Sequence, residues 1–122
     1  MNRSLMGLKI LFVMTAVFLS HSLHSAEPSE DTLAGAFLAN CKHTQACQME
    51  ALSANPETDQ ALVQMIQSRM AGQCEAQLAK ISQYEGAPHA QGMALCFRTM
   101  SQMSCEELRG DPDVPECNTP ND

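Results

Sequence analysis

The sequence predicts an all-α domain: a small bundle of four or five short helices, braced by disulfides and following a cleaved signal peptide. Three observations carry this prediction. Beyond residue 26 the only Val and Ile residues are Val63, Ile66, Ile81 and Val114, scattered where strands would need them in alternation. Ala, Leu, Met, Gln and Glu dominate instead, and all are good helix formers. The six cysteines, Cys41, Cys47, Cys74, Cys96, Cys105 and Cys117, lie in this same stretch, an even number in a short chain with a leader.

The leader comes first in the chain. Arg3 and Lys9 supply a positive start, and an apolar run follows from Ile10 to Leu19. Spanning a bilayer takes about 20 apolar residues, so this run fits the core of a signal peptide rather than an anchor. Cleavage after Ala26 divides the chain into a signal peptide, 1–26, and a helical cysteine-rich domain, 27–122; Ser22 is the second choice of cleavage point. No Cys follows the run closely, so a lipid-modified N-terminal cysteine is not expected.

Both cationic residues of the leader leave with it. Five Lys and Arg residues then face all 14 acidic ones, a formal charge of −9. Such a surface repels phosphate backbones and anionic lipid, which disfavours nucleic acid as a partner and leaves no basis for membrane insertion after cleavage. The interior is short of large side chains, since Phe37, Tyr84 and Phe97 are the domain's only aromatics. Ordering a residue costs about 1.5 kcal/mol in conformational entropy, and a core this modest barely offsets that. Three disulfides, each worth about 2–4 kcal/mol, would supply the difference.

A first helix is expected from about Ser29 to Lys42, with Glu30 and Asp31 at its positive end and Leu33, Phe37 and Cys41 along one face. Thr44 can cap a short second helix, Gln45 to Leu52. Asn55-Pro56 reads as a further start, with Asn as cap and Pro at the first helical position. From Glu57 to Tyr84 the pattern splits. Leu62, Met65, Ile66, Arg69 and Met70 share one side, whereas Cys74, Leu78 and Ile81 share another, rotated by about 115°. One straight helix cannot turn both groups to one core, so a break is expected at Gly72, where a helix-interior Gly costs about 1 kcal/mol.

Glu85-Gly86-Ala87-Pro88 is a loop, after which Met93, Cys96, Phe97, Met100 and Met103 form one inward stripe. Ser104 and Glu107 match a capping box, with Met103 and Leu108 placed as a hydrophobic staple around it. Gly110 should end that short helix, with Pro112 preventing its continuation.

Six cysteines allow 15 pairings. Geometry favours Cys105–Cys117 as one of them, because the proline-containing segment can return to the start of its helix. Closing that loop would be worth about 3 kcal/mol. The remaining four would bridge Cys41 and Cys47 to Cys74 and Cys96. No Cys-x-x-Cys occurs, so neither the usual dithiol oxidoreductase signature nor the usual zinc-ribbon spacing is present.

Catalytic residues are not indicated, and no cofactor is expected. Cys41-Lys42-His43 with Cys47 nearby invites comparison with secreted phospholipases, in which a His on a disulfide-tied helix activates water. That family has paired cysteines before the His and an Asp directly after it, whereas here Thr44 follows His43. His43 is expected instead as an exposed residue favouring a helix C-terminus. Asp111, Asp113 and Glu116 lack the spacing and central Gly of a calcium loop and read as a solvated turn.

The expected role is a non-enzymatic protein-binding or structural module of the cell envelope, periplasmic or secreted, whose partner is another protein. The alternative is a periplasmic copper-handling protein with thioether and imidazole ligands, for which Met93, Met100, Met103 and His89 are the candidates.

Overall fold

The computed structural model describes residues 27–118. The signal peptide predicted over 1–26, with its cleavage point, lies outside the described residues. Within them the chain is all-helical, as the composition predicts, with five α-helices and a closing 3-10 turn. They are α1 (Leu33–Ala54), α2 (Gln60–Met70), α3 (Gln73–Ser82), α4 (Ala90–Gln102) and α5 (Cys105–Arg109), then the turn Pro115–Cys117.

α1 is the spine, and it is longer than expected. The two helices predicted over Ser29–Lys42 and Gln45–Leu52 are one continuous helix, begun by Thr32, whose side chain accepts from Gly35 N–H. Thr44 therefore sits mid-helix and caps nothing. No Gly or Pro interrupts Lys42–Leu52, and flanking good helix formers carry the helix through a residue that is only mildly unfavourable inside one. Residues before Thr32 fold back over α1. A Cβ on Gly35 would stand 1.9 Å from the Ser29 carbonyl oxygen, so only glycine admits this crossing. At the near end of the crossing segment, Glu27 pairs with Lys42, which lowers the pKa of the carboxyl and raises that of the ammonium through their hydrogen bond.

The deepest core lies where α1 crosses α4. Leu33, Ala36, Ala90 and Ala94 are buried together there, with Ile81, Ala87, Met93 and Phe97 packed around them. Small residues on both helices leave room for close approach, and Phe37 meets Phe97 edge to face, with centroids 5.6 Å apart. The predicted stripe on α4 flanks this contact. Met93, Cys96, Phe97 and Met100 are half-buried, while the alanines beside them go deepest.

α2 begins later than expected. Asn55 ends α1 rather than opening α2, and its side chain accepts from Glu57 N–H in a local turn. Asp59 is the cap, taking Ala61 N–H at 2.8 Å. α2 is also rotated from the expected face, because Val63 is its one buried residue and Leu62 and Met65 are 42% and 46% exposed.

The break at Gly72 is present. Its φ of +77° is left-handed, which suits glycine, and the chain turns there from α2 into α3. Beyond it Cys74 faces inward, with Leu78 and Ile81 half-buried behind it. The capping box at α5 is complete: Ser104 Oγ accepts from Glu107 N–H at 3.2 Å, and Ser104 N–H donates to Glu107 Oε2 at 2.7 Å. After Gly110 the left-handed residue is Asp111, with φ +53°, one position later than a glycine stop implies.

Candidate functional site

Side chains from the middle of α1 tie down the ends of neighbouring helices. His43 Nε2–H donates to the Met103 carbonyl, the C-cap of α4, at 2.6 Å. Gln45 Nε2 donates to the Met70 carbonyl at the end of α2, at 3.1 Å. In the other direction Glu85, from the loop between α3 and α4, accepts Leu33 N–H at 3.1 Å and Ala34 N–H at 3.2 Å. Helix ends leave backbone groups without intrahelical partners, and here distant side chains fill that role. None of these three contacts is visible in local sequence. His43 is half-buried rather than exposed, and the helix C-terminus it serves is that of α4, brought to it by the fold.

All six cysteines are paired. The bonds are Cys41–Cys74, Cys47–Cys105 and Cys96–Cys117, and among the described residues no cysteine is free. Cys41–Cys74 is of the expected kind, tying α1 to α3. The pair favoured from loop length, Cys105–Cys117, does not form. Cys105 opens α5 against the second half of α1, where Cys47 is buried, so its partner lies across the interface. Past Asp111 the chain turns back along α4, buries Val114 and delivers Cys117 to Cys96. The three bonds close separations of 33, 58 and 21 residues, longer than the rejected loop. Each is worth about 3–4 kcal/mol by chain entropy.

Of the copper candidates, His89 and Met100 stand apart. His89 caps the start of α4 and stands against Tyr84, with ring centroids 6.4 Å apart. Met100 lies three turns further along, about 16 Å at 1.5 Å rise per residue, so the two cannot share an ion. The Met100 thioether faces Cys96 Sγ at 3.9 Å instead. Among the described residues no group of three or more His, Cys, Asp or Glu side chains is placed to hold a metal ion. In the acidic turn, Asp113 accepts from Asn118 Nδ2 at 3.1 Å.

Three of the surface hollows lie along α1 and its neighbours. One of about 510 Å³ lies beside the Glu85–Pro88 loop, over Leu33, Ala90 and Ala94. A second, about 350 Å³, runs between α1 and α2 and is lined by Ala46, Met49, Gln67 and Met70. The third, about 220 Å³, lies between α1 and α5 and is mostly apolar; Thr44, Cys47, Gln48, Ala51, Cys105 and Leu108 form its walls. The second and third flank the distal half of α1, and Leu62 and Met65 stand exposed on α2 nearby in the chain. No described helix is long and apolar enough to cross a membrane. Comparison with protein families, with curated proteins and with solved structures returns no match for this chain.

Proposed function

We propose that this protein is an exported, non-enzymatic module of the cell envelope, periplasmic or secreted, that binds another protein. The observations that carry the reading are two exposed apolar side chains on α2 and the apolar hollows beside the distal half of α1. Leu62 and Met65 are exposed on α2, and apolar hollows run on either side of the distal half of α1. Exposed apolar surface of this kind is a common mark of protein contact. Two disulfides fix α1 to α3 and to α5, so little order would be lost in those helices on binding, while α2 itself carries no cysteine. Disulfides persist in oxidising compartments, which agrees with the leader read from the sequence.

The test is capture from envelope extract with the oxidised protein, run beside a Leu62→Asp, Met65→Asp variant. A specific protein retained by the parent and lost by the variant, with both melting alike, supports the reading. Identical retention by both, or none by either, contradicts it.

A further inference from the structure

We propose that Cys47–Cys105 is a thiol–disulfide exchange site, opened by an incoming dithiol at Cys105 Sγ with Cys47 departing as a thiolate beside His43. The inference is independent of the partner-binding reading above. Four features meet at this bond. Both cysteines line the apolar groove between α1 and α5, and Cys105, half-buried where Cys47 is 6% exposed, is the more open to an attacking sulfur. His43 Nε2 stands 3.8 Å from Cys47 Sγ, so its N–H, now donated to the Met103 carbonyl, is within reach of the developing thiolate. Arg109 adds a cation to the same groove, although Glu50 stands 3.9 Å from it. Finally, α5 has no buried residue, so this bond is its main tie to α1 and opening it frees the helix.

The other two bonds lack this combination. Cys41 is half-buried like Cys105, but it lines none of the three hollows along α1, and its partner Cys74 is 1% exposed. Cys117 is the most exposed cysteine of the six, but it shares a hollow with Asp111 and Asp113. Those carboxylates repel a thiolate that attacks Cys117. Access alone would open Cys96–Cys117 first, whereas the charge met by the attacking thiolate and the imidazole beside the departing Cys47 select Cys47–Cys105.

The step balances with a dithiol as reductant. One of its thiolates bonds to Cys105 Sγ as the Cys105–Cys47 bond breaks, and the electron pair leaves on Cys47, which then takes up a proton. The second thiol of the reductant attacks the mixed disulfide, releasing Cys105 as a thiol and joining the two sulfurs of the reductant. Two electrons pass from the dithiol to the protein.

The experiment treats the folded, oxidised protein with graded dithiothreitol, quenches with an alkylating reagent at intervals, and maps the labelled cysteines by mass spectrometry. Cys47 and Cys105 are expected to label first, and His43→Gln, which keeps a donor for the Met103 carbonyl but removes the imidazole from beside Cys47 Sγ, to slow that opening about tenfold while leaving the other two bonds unchanged. Opening of Cys96–Cys117 or Cys41–Cys74 ahead of it overturns the proposal, as does an unchanged rate in a folded His43→Gln protein. If that variant does not fold, the order of opening in the parent chain decides alone.

Discussion

Every residue from Leu33 to Leu38, at the start of α1, is buried, whereas from Ala39 to Ala54 only Cys47 is. The same helix thus runs through two kinds of structure. Its first half packs on α4 through Leu33 and Ala36 against Ala90 and Ala94, and Phe37 meets Phe97. Its second half carries α2 and α5, which bury one residue between them, Val63. What joins α5 to it is the bond at Cys47, and what joins α2 is Val63 and the Gln45 contact to its last carbonyl. Apolar burial holds the first half, whereas the second relies on one covalent link, side-chain caps and the Cys41–Cys74 bond just beyond α2.

The largest effect that would sharpen this contrast comes from removing a link. Replacing Cys47 and Cys105 together by Ala should cost about 4 kcal/mol in denaturant unfolding, with α5 amides losing hydrogen-exchange protection while those of α4 keep it. Retained protection in α5 would break the comparison. Next comes Leu33→Ala in the packed half, which should cost about 3 kcal/mol by the same measurement because a fully buried side chain leaves a cavity.

Ser104→Ala removes one half of the α5 capping box and should cost about 1 kcal/mol, read from the melt. Backbone and side-chain hydrogen bonds from Ser104 lower the pKa of Glu107 in the folded chain. A carboxyl with a depressed folded pKa stabilises the fold above its unfolded pKa, and that contribution is lost as pH falls through the folded value. Fraying of α5 should therefore appear only in the acid range below ordinary glutamate titration, followed by the exchange of its amides. The smallest effect is Met65→Gln, expected within about 0.5 kcal/mol of the parent, since the side chain is already half in water. A loss of more than 2 kcal/mol there would mean that α2 is packed after all.

Much of the local structure was legible in the residues themselves. The all-helical class follows from composition, the break follows from Gly72 at a jump in the apolar pattern, and the α5 start follows from Ser104 and Glu107. Each is decided within one or two turns of chain. What escaped depends on distant partners. Thr44 suits a cap as well as a helix interior, and its flanks alone do not decide between the two. Glu85 and His43 look unremarkable until the fold brings helix ends to them. The cysteine pairing failed for the same reason: loop length favoured Cys105–Cys117, but Asp111 turns the chain back along α4 and away from α5. The uncovered face of α2 was misread because periodicity reports which residues share a side, while the side that faces inward is set by neighbouring helices.

The most direct test compares thermal unfolding of the protein with its three bonds intact and after full reduction and alkylation. Links that stand in for apolar burial require a fall of tens of degrees, or no cooperative transition in the reduced chain. A reduced chain that unfolds cooperatively within a few degrees of the oxidised one would show that packing alone suffices, and the account would be wrong.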